Sequence, residues 1–306
     1  MSTVDKDIVL SICANCGKEG SNDNMNICNK CKMVKYCNAA CKKKHRSKHK
    51  KQCERRLAEL HDIELFKQPP SQYGDCPICF TRIPLLYAGW RYYPCCGKTV
   101  CSGCIHAPVY DNQGNKVDDK KCPFCRTPIP STYKEAMERE KERVEAGDAV
   151  AMHNLGNYYS RGEGGYPQDY GKALELYHRA AELGYAKAYT DIGYAYENGR
   201  SIEVDREKAI YYYELAAMGG YAAARYNLGS MEARVGNYDR ALKHFMIAAR
   251  DGHADSLKVI KIIYSNGHAT KEDYTKALQL YQTYLGEIKS VQRDKAAAER
   301  EDYRYY

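Results

Sequence analysis

The alternation of apolar and polar positions divides the chain near residue 130. Beyond that point, small and aromatic apolar residues recur three and four apart, the spacing of one helix face. One set is Ala173, Leu174, Tyr177, Ala180 and Ala181. A second is Ala209, Ile210, Tyr213, Ala216 and Ala217, and a third is Ala241, Leu242, Phe245, Ala248 and Ala249. Asp169, Asp205, Asn237 and Asp273 stand four residues before the recurring alanine, where a side-chain acceptor predicts a helix start. Gly184, Gly220 and Gly252 follow the alanine by eleven residues and predict left-handed helix ends.

These stripes belong to a longer period. Leu155-Gly156, Ile192-Gly193 and Leu228-Gly229 recur at 37 and 36 residues, and Lys172-Ala173, Lys208-Ala209, Arg240-Ala241 and Lys276-Ala277 at 36, 32 and 36. Such a period predicts an α-solenoid of helix pairs. The third unit lacks four residues in its loop, EARVGN. The fourth carries Lys261 for the glycine and Thr283-Tyr284 for the paired alanines, the mark of a worn terminal repeat. Tyr177, Tyr213 and Tyr281 are expected in the core. The stretch STYKEAMEREKERVEA from Ser131 to Ala146 predicts a helix that packs on the first unit. VQRDKAAAEREDYRYY, after Ser290, reads as a polar capping helix that frays at its end. The motifs LG and KAxxxYxxAAxxG resemble Sel1-type repeats, relatives of tetratricopeptide repeats, over roughly residues 135 to 290. That resemblance implies a generic protein-binding surface and leaves the partner unspecified.

The first part of the chain is organised by cysteine. All fifteen cysteines lie before residue 126. Their odd number and short spacings favour metal ligation over a disulfide framework. Cys13 and Cys16, Cys28 and Cys31, then Cys37, Cys41, His49 and Cys53 provide seven thiols and one imidazole. That is enough for two four-coordinate zinc sites. The spacings of four and eight from Cys37 to Cys53 place those four near one helical face.

The order of these residues, with Tyr36 before Cys37, resembles the MYND zinc finger over residues 13–53. In that family the ligands interleave, which would put Cys13, Cys16, Cys37 and Cys41 on one zinc and Cys28, Cys31, His49 and Cys53 on the other. Spacing alone leaves a sequential grouping open, and His45, one turn before His49, is a spare imidazole. Lys42 and Arg46 stand where the family carries glutamine and tryptophan, which weakens the case for peptide binding on that surface.

Eight further thiols follow: Cys76 and Cys79, Cys95 and Cys96, Cys101 and Cys104, Cys122 and Cys125. They resemble a RING finger in an all-cysteine variant. Its cross-brace would join Cys76, Cys79, Cys101 and Cys104 on one zinc and Cys95, Cys96, Cys122 and Cys125 on the other. Lys98 stands at the common histidine position. Cys95 replaces it if the backbone turns at Gly97, and His106 is a competing ligand. The resemblance also implies a docking groove for a ubiquitin-conjugating enzyme at Ile78 and Pro123, with Arg126 as the residue that bridges that enzyme to ubiquitin.

Composition narrows the classes. The chain has 306 residues, 44% of them hydrophobic, and a net charge of +8, so it is globular. The basic run from Lys42 to Lys51 has no interleaved aromatic residues, which disfavours a nucleic-acid platform and fits a solvated helix face. No apolar run has transmembrane length, and the start, MSTVDKDIVLSICANC, lacks a leader pattern. The expected location is therefore intracellular, cytoplasmic or nuclear, where thiols stay reduced.

The expected architecture is mainly α: a MYND-type finger at 13–53, a linker at 54–72, a RING-type finger at 73–130, Sel1-like repeats at 131–290, and a capping helix and tail at 291–306. The expected cofactor is Zn2+, four per chain, two in each zinc module. The expected function is a RING-type ubiquitin ligase that recruits protein substrates through the other modules and uses no covalent catalytic residue. The alternative is a non-enzymatic, zinc-binding interaction scaffold.

Overall fold

Twelve α-helices and six short β-strands form among the described residues of this computed structural model, which are 10–21, 24–67, 69–107, 113 and 120–306. The first nine residues of the stretch tested for a leader lie outside them. The chain divides into two units, Met1–Lys67 and Gln68–Tyr306.

In the first unit β1 (Leu10–Ile12) pairs antiparallel with β2 (Glu19–Ser21), and β3 (Asn26–Ile27) with β4 (Lys35–Tyr36). Helix α1 (Ala39–Leu65) follows, capped by Asn38, whose side chain accepts from the Cys41 amide at 2.8 Å. The buried core consists of Tyr36 and the thiols of Cys13, Cys28, Cys31 and Cys53. So small an apolar core does not hold a unit of this size by burial alone. The helix does not stop with the cysteines: residues 54–65, the first part of the expected linker, continue α1 without a break.

In the second unit β5 (Trp90–Tyr93) pairs antiparallel with β6 (Lys98–Cys101), with Trp90 opposite Cys101 and Tyr93 opposite Lys98. The short helix α2 (Ser102–His106) follows, and Ile83, Trp90, Tyr93 and Val100 fill the space beside the sulfurs. Next, α3 (Tyr133–Glu145) packs on α4 (Ala149–Arg161), which pairs with α5 (Tyr170–Glu182). The pairs α6 (Ala186–Asn198) with α7 (Arg206–Met218) and α8 (Ala222–Arg234) with α9 (Tyr238–Arg250) stack on them in order. Helices α10 (Ala254–Ser265), α11 (Lys271–Ile288) and α12 (Val291–Glu299) complete the unit.

The repeat motif has a direct steric meaning. A Cβ on Gly156 would lie 2.6 Å from the Tyr177 ring, on Gly193 2.9 Å from Tyr213, and on Gly229 2.9 Å from Phe245. The recurring glycine is where the aromatic ring of the second helix seats. Asp169 and Asp205 cap α5 and α7, each accepting from an amide at 3.0 Å, while Asn237 holds the N-cap of α9 without a capping bond, its Nδ2 donating instead to Glu232 Oε2 at 2.9 Å.

Three expectations are corrected near the end of the chain. Thr270, not Asp273, caps α11; Asp273 is its capping-box partner, since threonine and aspartate three residues apart satisfy each other's amides. Tyr281 is only half-buried, and the buried ring is Tyr284, one turn on, where earlier units have alanine. Its hydroxyl accepts from the Leu85 amide at 2.7 Å, so α11 meets the cysteine module through this ring. The tail does not fray: α12 packs on α2, and Tyr303 and Tyr305 are buried.

The cysteine module of the second unit is seated on the repeats. The Tyr73 ring meets Tyr221 edge-on at 6.5 Å, and Tyr92 packs into the core of the first repeat. The Gln72 amide reaches the Gly220 carbonyl at 3.5 Å, and Arg82 reaches Asp251 at the end of α9. One flank of the repeats is thus covered from within the chain. No helix among the described residues is long and apolar enough to cross a membrane.

Candidate metal centres and knuckle surface

Four CxxC segments fold into the same backbone turn. The residue after the second cysteine donates its amide to the carbonyl of the first: Gly17 to Cys13 at 3.0 Å, Lys32 to Cys28 at 3.0 Å, Phe80 to Cys76 at 2.8 Å and Arg126 to Cys122 at 2.9 Å. That residue is left-handed in every case, with φ of 75°, 56°, 54° and 64°. Glycine adopts this freely, whereas Lys32, Phe80 and Arg126 hold it at a conformational cost. The first cysteine's amide closes the loop by donating to Lys18, Val34, Thr81 or Thr127 at 2.8 to 3.0 Å. Both sulfurs of each segment then point to one side, as a shared ion requires.

These knuckles meet the remaining donors in four clusters. Cys13, Cys16, Cys37 and Cys41 form one, Cys28, Cys31, His49 and Cys53 a second, Cys76, Cys79, Cys101 and Cys104 a third, and Cys95, Cys96, Cys122 and Cys125 a fourth. In each, all four donor atoms lie within 4.8 Å of one another. The grouping is interleaved in both modules. Cys41 and His49 share α1 yet serve different clusters.

The distances fit a tetrahedral ion. Zinc bound to sulfur at about 2.3 Å requires sulfurs about 3.8 Å apart. Cys16 and Cys37 are 3.6 Å apart, Cys28 and Cys53 3.9 Å, Cys79 and Cys101 3.7 Å, and Cys96 and Cys122 3.8 Å. The Cys31 sulfur lies 3.2 Å from His49 Nε2. All fifteen cysteines are free thiols. The donor sets and spacings of these clusters fit zinc.

Proton affinities within the first cluster diverge as expected for thiols that share protons. A hydrogen bond from the Cys37 backbone holds Cys13 down at about 6 against burial, while the side-chain bond with Cys41, then burial, push Cys37 up to about 12. A divalent ion replaces such protons.

The competing imidazoles lie elsewhere. His45 Nδ1 is 3.2 Å from the Tyr36 hydroxyl and its ring stacks on His49, while His106 Nε2 pairs with Glu299 at 2.9 Å. Lys98 sits exposed on β6, and Gly97, at φ +66°, turns the chain after the adjacent pair Cys95-Cys96.

The three expected docking residues sit on knuckle loops. Ile78 is 38% exposed, Pro123 and Arg126 are half-buried, and the Arg126 side chain makes no hydrogen bond or ion pair among the described residues. Sequence reasoning missed two neighbours: Phe80 is 79% exposed and Phe124 43%. Their signal was a large apolar residue inside or just after both CPxC segments.

Comparison with known proteins matches the MYND finger family to residues 13–53 and the Sel1 repeat family to residues 149–185, 186–221, 222–253 and 262–283. A Sel1-like repeat-containing protein of Acanthamoeba polyphaga mimivirus is 27% identical over 44% of this chain and 24% of its own length. The ERAD-associated E3 ubiquitin-protein ligase component HRD3B of Arabidopsis thaliana is 29% identical over 33% of this chain and 16% of its own. The chain therefore spans under a third of the length of these curated relatives. A solved Sel1 repeat protein from Oxalobacter formigenes is 26% identical, with a TM-score of 0.44 over 55% of this chain and 69% of that one. This chain carries a MYND zinc finger over residues 13–53 and four Sel1 repeats between residues 149 and 283.

Proposed function

We propose that residues 73–130 form a RING-type zinc module, and that this protein is a ubiquitin ligase built on an interaction scaffold. The MYND finger and Sel1 repeats supply the scaffold, which is a protein-interaction architecture. Each of the four clusters holds one zinc ion, four per chain, through the sixteen donors named above. These are closed structural sites, with all four positions filled by protein.

The observation that carries the reading is the exposed apolar surface on two cross-braced knuckles. Ile78 and Phe80 on one, and Pro123 and Phe124 on the other, face solvent in whole or part although the module has a core to bury them in. Exposed apolar groups of this kind serve partners. Ile78 and Pro123 dock a ubiquitin-conjugating enzyme, and Arg126, whose guanidinium has no partner among the described residues, bridges that enzyme to ubiquitin. The gain is orientation of a flexible thioester conjugate, so no nucleophile or base is required. The name of the Arabidopsis relative, a ubiquitin-ligase component, fits this reading.

Autoubiquitination by the zinc-loaded full chain across a panel of conjugating enzymes tests it, and absence of conjugates with every enzyme sinks it. Arg126→Ala is expected to abolish most transfer and leave helical signal intact. The second reading, a scaffold without transfer, is favoured by Lys98 at the family's histidine position. On that reading Arg126→Ala changes nothing measurable.

A further inference from the structure

Arg293, on α12, is fully buried at 0% exposure. Its Nη1 donates to the carbonyls of Ile288 at 2.6 Å and Arg82 at 2.7 Å, and its Nη2 to that of Thr81 at 3.2 Å. Among the described residues no carboxylate pairs with it, and its Nε has no hydrogen-bond partner. A cation so placed is strongly unfavourable unless an anion lies near.

Its neighbours are the Tyr305 ring, 6.0 Å from the guanidinium carbon, and the backbone that carries Cys76, Cys101 and Cys104. The Thr81 carbonyl that accepts from Arg293 also accepts from the Cys76 amide at 3.0 Å, so guanidinium and first ligand share one acceptor. The Arg293 stem lies against Gly103, between Cys101 and Cys104: a Cβ there would sit 2.8 Å from the Arg293 nitrogen and 2.9 Å from its Cγ. The adjacent Gln292 places Oε1 3.9 Å from the Cys104 sulfur.

We propose that Arg293 is the positioning residue and internal counter-charge of the metal site formed by Cys76, Cys79, Cys101 and Cys104, which makes the C-terminal helix part of that site. The proposal rests on the reading of that cluster as a zinc site. Four thiolates around one divalent ion leave a net negative charge, and three of these four cysteines are buried, away from solvent that would screen it. Arg293 supplies the opposite charge and braces both arms of the ligand set, the knuckle through Thr81 and Arg82 and the second pair through Gly103. The cluster of Cys95, Cys96, Cys122 and Cys125 is more open, so solvent can screen its charge.

The test uses the full chain with Arg293→Met and Arg293→Lys, reading zinc release to a chromogenic chelator and the thiolate-to-cobalt charge-transfer band of the cobalt-loaded protein. In the methionine variant one zinc per chain is expected to leave at least about ten-fold faster, and the cobalt band to move to lower energy because the thiolates lose their counter-charge. Lysine is expected to restore most of both. Equal release from both variants with an unmoved band assigns Arg293 to packing alone and overturns the proposal. If the methionine variant does not fold, Gly103→Ala displaces Arg293 without altering a ligand or a charge, and wild-type release from that variant overturns it equally. The zinc reading itself fails, separately, if Cys76→Ser binds as much zinc as the wild type.

Discussion

Arg82 Nη2 donates to Asp251 Oδ1 at 3.0 Å, across 169 residues of sequence, and joins the cysteine module to the end of α9. Its Nη1 reaches Glu287 at 2.5 Å. Burial pushes the Asp251 carboxyl above its ordinary range against the pull of Arg82. Arg82→Leu is therefore expected to leave a buried carboxylate without its partner and to destabilise the second unit by about 3 kcal/mol. Asp251→Asn added to that variant is expected to recover part of the loss. Denaturant unfolding of the three proteins checks both; an unchanged midpoint for Arg82→Leu would remove the brace from the account.

Gly193 and Gly267 should behave oppositely. A Cβ on Gly193 meets the Tyr213 ring at 2.9 Å and the Ala209 carbonyl at 3.2 Å, whereas one on Gly267, a left-handed turn at φ +78°, meets nothing within 4 Å. Gly193→Ala is expected to cost about 1–3 kcal/mol by overpacking, and Gly267→Asn less than about 1 kcal/mol, because asparagine tolerates that conformation. Thermal unfolding distinguishes the two, and equal costs would contradict the steric reading of the repeat glycine.

Glu140 gives the array a pH dependence. It is buried on α3 and accepts from Asn154 at 2.9 Å. Burial pushes its carboxyl up to about 7, with the Asn154 bond opposing. The folded state therefore binds more protons than the unfolded one between the ordinary glutamate value and about 7, so stability falls as pH rises through that window. Glu140→Gln is expected to stabilise the protein by about 2 kcal/mol near pH 8 and by little near pH 4.5. Chemical denaturation at the two pH values checks this, and a gain independent of pH would refute the assignment to ionisation.

What the sequence disclosed follows from range. Gly193 and Tyr213 could be paired on paper because the glycine and the aromatic stand at fixed places in a repeated unit. The CxxC knuckles were legible for the same reason. Which knuckle meets which was not: Cys41 and His49 occupy one helix face yet belong to different clusters, and only the likeness to known fingers carried the interleaving. Arg293, Tyr284 and Arg82 find their partners across 169 to 212 residues. Nothing local in the polar sequence around Arg293 marks it as buried. The exposed ring of Phe80 in a left-handed backbone is a property of the turn, which residue type alone does not announce.

The most direct test of the metal architecture is zinc stoichiometry on the full chain, by elemental analysis against protein concentration or by native mass spectrometry. Four interleaved clusters predict four zinc ions per chain, falling to three when Cys95 and Cys96 are both replaced by serine. Two ions per chain in the wild type, unchanged by that replacement, would contradict the account of the second cysteine module.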